Sequence, residues 1–223
     1  MRSTFALSLA LAACSAQAGR PLQSEDAPVI DEHACEVEGA YTDWRTGGDD
    51  TPQTYLQLAC GVSARTELGL QVLKPREIGI AGKTRLLAAP WRDGEAALSL
   101  AWGLAHHHVD VGWRRSSVVL NLAATLPVSR DWLMHLMLGH QRDDVHGQRS
   151  TNWAVAAEHN GLGDEGRWQP MAEVFGDDHG RPWLNGALRV ALVPERVFVD
   201  ASLGRRLGGG RAHLMTAGFK VAF

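Results

Sequence analysis

Residues 213–223 read HLMTAGFKVAF. Met215, Ala217, Phe219, Val221 and Phe223 occupy every second position, against Thr216, Gly218 and Lys220. Strict alternation of this kind is a β-strand with one apolar and one polar face. An apolar face that closes on an aromatic residue at the last position predicts the C-terminal strand of an outer-membrane β-barrel. Phe219, Val221 and Phe223 are then the insertion signal that barrel-assembly machinery recognises.

The same period returns upstream. It sets Cys35, Val37, Gly39 and Tyr41 against Glu36, Glu38 and Ala40 in 34–44, and Leu98, Leu100, Trp102 and Leu104 against small residues in 96–105. Further segments fall at 54–62, 67–73, 78–88, 117–126, 132–141, 151–159, 168–175, 183–192 and 197–204. With 213–223 that makes twelve strands, each near the roughly 9–11 residues that a tilted strand needs to cross a bilayer. Pro170 is out of place in one of them, because it has no N–H for the ladder. No segment has a helical period. The reading is all-β: an antiparallel transmembrane barrel of about twelve strands, both termini periplasmic because the count is even.

Composition agrees. The chain has 223 residues, 45% hydrophobic and 21% charged, which excludes disorder. Lys+Arg is 22 against Asp+Glu 25, a net charge of −3, so nucleic acid is not an expected partner. No apolar run is long enough for a membrane helix, which leaves strands as the way across.

The polar face decides between barrel and sandwich. It is rich in Gly, Ala and Ser, with Glu36, Glu38, Glu67, Lys83, Arg85, Glu158, Glu173, Arg189, Asp200 and Lys220 scattered along it. Small residues with pairable charges suit a narrow lumen better than an open surface. These ten are expected to face one another as a charge network, because an unpaired charge away from bulk water costs several kcal/mol. The odd-numbered connections, such as 45–53, 106–115 and 142–150, carry most of the loop charge and read as long extracellular loops; the even ones read as short periplasmic turns. Trp44, Trp113, Trp153 and Trp183 fall at outer strand ends and Trp91, Trp132 and Trp168 at inner ends, as two interfacial girdles would.

The N-terminus carries an export segment. Arg2, the apolar stretch from Phe5 to Ala13, and Ala16-Gln17-Ala18 define a signal peptide over 1–18, cleaved before Gly19. Residues 19–33 then form a periplasmic segment and 34–223 the barrel. A rival reading lipidates Cys14. Cys35 and Cys60 remain as a pair in an oxidising compartment. A first hairpin turning at Gly47-Gly48 pairs positions that sum to 95. That register sets Cys35 opposite Cys60, Val37 opposite Leu58 and Glu38 opposite Gln57, with a disulfide within reach.

Arg20-Pro21-Leu22 with Asp26-Ala27, Glu67-Leu68-Gly69-Leu70 after a tight turn, Gly82-Lys83-Thr84-Arg85 on the next strand and the terminal Phe together resemble the outer-membrane barrel family called "MetA-pathway of phenol degradation". The resemblance covers most of 20–223 through short, degenerate motifs. It implies a transporter-like barrel, and several family members are described as transporters of aromatic or hydrophobic compounds.

Other motifs point to less. His106-His107-His108 with Asp110 could hold a metal, but only His106 and His108 share a side of an extended chain, so a solvated loop is the expectation. His135 on the lumen face could serve as a base, yet no serine has a matched partner, and no enzyme, cofactor or metal is expected. Gly208-Gly209-Gly210 is followed by Arg211-Ala212, not the Lys and Ser/Thr of a phosphate loop. The expected function is a channel or transporter for small solutes in a Gram-negative outer membrane, in contact with lipid, its solute unnamed. The alternatives are a structural or adhesive barrel with a closed lumen, and a soluble periplasmic domain or lipoprotein.

Overall fold

A computed structural model describes residues 21–46, 49–74, 77–109, 112–163, 166–208 and 212–223. The leader, Cys14, the first turn at Gly47-Gly48, Asp110 and the Gly209-Gly210 pair lie outside the described residues. The strands are β1 (Cys35–Thr46), β2 (Asp49–Ser63), β3 (Thr66–Lys74), β4 (Glu77–Trp91), β5 (Gly94–Val109), β6 (Gly112–Pro127), β7 (Trp132–Asp143), β8 (Gln148–His159), β9 (Trp168–Asp177), β10 (Trp183–Val193), β11 (Val197–Arg206) and β12 (Ala212–Ala222). They form one closed antiparallel barrel in sequence order, β12 returning to β1. Closure leaves no sheet edge, so each strand finds backbone partners on both flanks.

The seam is zipped by the C-terminal alternation. Val221 stands opposite Val37 and Phe219 opposite Gly39. At the rim, Cys35 and Phe223 exchange both backbone hydrogen bonds, at 2.8 and 2.9 Å. Outward positions are apolar yet exposed, as at Leu70 (64%), Leu138 (60%) and Leu203 (66%). A continuous apolar belt of this size suits lipid, not water.

β1 and β2 pair in the register that alternation predicts, with Cys35 opposite Cys60, Val37 opposite Leu58 and Glu38 opposite Gln57. Because Cys35 spends its backbone hydrogen bonds on Phe223, its side facing β2 is a non-hydrogen-bonded pair, the closer of the two antiparallel spacings. The Cα atoms are 4.1 Å apart and the disulfide is formed. It closes a sequence separation of 25, so replacing both cysteines by serine is expected to cost about 3 kcal/mol by the chain-entropy account. Melting of the purified barrel measures this, and the mass of the unreduced protein verifies the bond.

Three expectations are corrected. Outer connections among the described residues are short, as at 144–147 and 178–182, because strands run on beyond the apolar belt. Water solvates the charged side chains there while the backbone ladder continues; β5, for example, pairs with β6 as far as Val109 opposite Gly112. The longest connection, 160–167, is on the inner side. The tryptophan girdles are incomplete. Trp91, Trp113, Trp132 and Trp168 are outward and 43–52% exposed, but Trp44 and Trp183 turn into the lumen. Their parity along the strand, shared with Glu36 and Glu38 in one case and Asn185 and Arg189 in the other, dictates this. Trp102, mid-strand, lies over Gly82, where an added Cβ would meet its ring at 2.8 Å. The third correction is the N-terminal segment, which enters the barrel. Pro170 is accommodated because the β8–β9 ladder stops at Met171.

Candidate functional site

Residues 21–33 have no regular structure, and two prolines, Pro21 and Pro28, help to prevent it. Their backbone N–H and C=O groups therefore need partners from elsewhere. The lumen supplies them. At the rim that carries the barrel's two ends the segment touches β2: His33 N donates to Gly61 O at 3.1 Å, and Gly61 N donates to Ala34 O at 3.0 Å. A Cβ at Gly61 would lie 2.1 Å from Asp31 O, so only glycine lets the chain pass.

Inside, Ile30 N donates to Glu67 Oε2 at 2.7 Å. Lys83 Nζ donates to Pro28 O at 3.0 Å and to Asp26 Oδ1 at 2.7 Å. The Ser99 hydroxyl donates to Ala27 O, and Ala27 N donates to Thr125 Oγ1 at 2.9 Å. Gln23 N and Ser24 N donate to the two oxygens of Glu173 at 2.7 and 3.0 Å. Leu22 packs on Ala156 and Met171 at the far wall. The segment thus crosses from β3 over β4, β5 and β6 to β9, and Leu22, Ser24, Asp26 and Ala27 are buried.

The ten lumen charges of the sequence reading divide into groups. Lys220 Nζ meets Glu36 Oε2 at 2.5 Å, and Arg189 meets Asp200 at 3.4 Å across the β10–β11 pair. Glu158 accepts from His135 Nε2 at 3.1 Å. Glu67, Lys83 and Glu173 bind the N-terminal segment. Glu38 is 7% exposed, and its Oε1 has no hydrogen-bond partner. Arg85 is apart from these: it donates to Ala64 O at 2.8 Å and lies 3.8 Å from Glu95 at the inner rim.

His135 is buried and uses both ring nitrogens, Nε2 on Glu158 and Nδ1 on Thr125 at 3.0 Å. With Nε2 protonated, Nδ1 accepts the Thr125 hydroxyl, which leaves Thr125 Oγ1 free to accept from Ala27. The ring positions the hydroxyl that holds the segment. The histidine run lies on the outer part of β5, with His108 edge-on to Trp113 at 5.2 Å. No group of three metal-ligating side chains occurs among the described residues. In the outer turn after β7, hydrogen bonds from Arg115 and Arg142 hold the Asp144 carboxyl below its ordinary range.

The N-terminal segment was not legible as part of the site, and one trace of it existed. The predicted network has more acids than bases, so some carboxylates needed donors from outside the strands. Backbone N–H groups of residues 23, 24 and 30 are those donors.

Among the described residues, two cavities lie along the lumen. An inner one of about 260 Å³ is walled by β1–β6 and the segment, with Glu36, Glu38, Gln57, Glu67, Gln71 and Lys83 on it. An outer one of about 440 Å³ opens at the mouth, where Trp44, Phe175 and Trp183 cluster. Trp44 sits edge-on to Trp183 at 5.1 Å, and the Arg206 guanidinium lies 5.9 Å above the Trp183 ring. Gln23, Val119 and Asn121 line both cavities, so the tip of the segment is part of the partition.

Fold and lumen define a twelve-stranded membrane β-barrel with its N-terminal segment inside. No family model and no curated protein matches the sequence. Solved structures do. The chain is similar to the COG4313 outer membrane channel from Pseudomonas putida F1, with a TM-score of 0.61 and 12% identity, over 91% of this chain and all (100%) of that one. It is similar to a KdgM porin in complex with disordered oligogalacturonate (TM-score 0.59, 9% identity, 84% of this chain and 99% of that). A NanC porin also matches (TM-score 0.52, 9% identity, 84% and 98%). At these identities the likeness is one of fold.

Proposed function

We propose that the protein is a passive outer-membrane channel for small solutes, closed in this conformation by its own residues 21–30. The observation that carries this is what closes the lumen. A barrel built only as a scaffold fills its interior with its own strand side chains. Here strand residues such as Ala59, Ala81 and Ala101 leave room, and an irregular segment held by hydrogen bonds and ion pairs occupies it. The chain-length match to channels and porins supports the reading.

The rest of the assignment follows from it. The export segment is cleaved before Gly19. Phe219, Val221 and Phe223 direct insertion by the barrel-assembly machinery, the outer belt contacts lipid, and the protein catalyses no reaction. The shared short motifs favour membership of the phenol-degradation barrel family.

Planar-bilayer recordings of the full chain and of a variant lacking residues 21–30 test the proposal. The full chain is expected to give small or rare steps, and the variant steps severalfold larger. Equal, negligible conductance in both, with the variant folded by heat-modifiable gel mobility, would favour the closed structural barrel.

A further inference from the structure

Residues 21–30 are held mainly by their main chain. The N–H groups of Gln23 and Ser24 donate to Glu173, that of Ala27 to Thr125 and that of Ile30 to Glu67. The carbonyls of Ala27 and Pro28 accept from Ser99 and Lys83. Side chains on β3, β4, β5, β6 and β9 thus place acceptors where the segment presents N–H and donors where it presents C=O. Every peptide carries those groups.

The side chains are read more sparingly. Asp26 pairs with Lys83 at 2.7 Å and is buried. Ala27 has no exposed surface, so only a small side chain fits there. Ser24 is buried, yet its hydroxyl has no hydrogen-bond partner. Gln23, Val29 and Ile30 are only half-buried. A lumen that had only to be sealed would be filled more firmly by apolar side chains. A hydrogen bond that replaces one to water contributes about 1 kcal/mol net, and it can be exchanged for the same bond to another main chain at little cost.

We propose that this wall is a binding site for short peptides in which an acidic residue precedes a small one, and that residues 21–30 occupy it as an internal stand-in for such a ligand. Lys83 selects the acid, and the main-chain bonds hold the rest. The proposal rests on the channel reading in one respect: short acidic peptides are then the solute class. Binding itself needs no current.

The test keeps the full chain and weakens only the segment. Asp26→Ala removes the carboxylate that Lys83 holds and leaves the wall intact. Heat-modifiable mobility confirms the fold, and Asp26→Asn is a second, milder variant. Isothermal titration in detergent uses end-blocked peptides: one with the sequence of residues 21–30, one that also has alanine at positions 23, 24, 29 and 30, and one with alanine in place of the Asp. The first two are expected to bind the variant saturably and within about tenfold of each other. The third should bind roughly ten- to hundredfold more weakly, the worth of a hydrogen bond to a charged group. The wild-type chain should bind all of them more weakly, because its tethered segment competes at a roughly millimolar effective concentration. Methylating the peptide nitrogen that meets Thr125 should weaken binding about tenfold. Lys83→Met frees the segment but should not gain affinity for the acidic peptides. Failure of the first peptide to bind folded Asp26→Ala, equal affinity for the peptide without Asp, no effect of the methyl group, or binding of the exact 21–30 sequence alone overturns the site. Peptide binding in a barrel that passes no current keeps the site and removes the channel. Larger conductance in Asp26→Ala without peptide binding keeps the channel and removes the site.

Discussion

Replacing Lys83 by methionine is expected to free residues 21–30 from the lumen while leaving the barrel standing. Lys83 Nζ holds Asp26 at 2.7 Å and Pro28 O at 3.0 Å, and lies 4.0 Å from Glu25. The two paired side chains are buried, at 11% and 5% exposure. Removing one partner of such a pair strands the other charge, at a cost of about 3–5 kcal/mol. The bonds that remain around this stretch include the Ser99 and Thr125 contacts to Ala27, neutral bonds worth about 1 kcal/mol each. They cannot offset the loss. The strand ladder does not depend on Lys83, so the cost falls on the segment. Hydrogen exchange should rise across residues 21–30, conductance should rise with it, and the melting of the barrel should change little. Lys83→Met combined with Asp26→Leu substitutes an apolar pair for the ion pair and should restore most of the protection. Wild-type exchange in the single variant would show that Lys83 does not hold the segment.

What the sequence made legible follows from the range of each interaction. Alternation is local, and with the turn position it determines register; hence Cys35 meets Cys60 and Arg189 meets Asp200 across adjacent strands. Parity is equally local, and along β1 and β10 it points Trp44 and Trp183 inward, against what their height on the strand suggests. Charged ends of strands read as loops because pattern alone does not distinguish a solvated loop from a solvated ladder. Arg85 has lumen parity, but its height at the rim puts it beside Glu95 instead of the central acids.

The N-terminal segment is the reverse case. It has no period, and its partners are far away in sequence: Ile30 binds Glu67, 37 residues on, and Gln23 binds Glu173, 150 residues on. No window of sequence contains such a contact. Only closure of the barrel brings β3 and β9 around one space, so the site is a product of the fold. Its energetics also differ from those of the wall. The wall is a ladder that shares load among neighbours, whereas the segment hangs on three charged side chains, Lys83, Glu173 and Glu67.

The second anchor should release on its own. Glu173 is 2% exposed and surrounded by donors: Gln23 N at 2.7 Å, Ser24 N at 3.0 Å and Asn185 Nδ2 at 2.8 Å. Both of its oxygens accept. Glu173→Gln retains one acceptor and turns an –NH2 toward donors. One charge-assisted bond is lost and one donor is left facing another, a cost of about 3 kcal/mol. Asp26–Lys83 is untouched, so only the tip is expected to detach. Exchange at residues 22–24 should then quicken roughly a hundredfold, since each 1.4 kcal/mol is a factor of ten, while residues 26–30 stay protected. Because Gln23 lines both cavities, loss of the tip opens the partition between them without emptying the lumen. Conductance should therefore rise in Glu173→Gln but stay below that of Lys83→Met. A uniform rise in exchange along the whole segment would mean that it moves as one rigid plug. No rise at residues 22–24 would mean that Leu22, packed on Ala156 and Met171, holds the tip without the carboxylate.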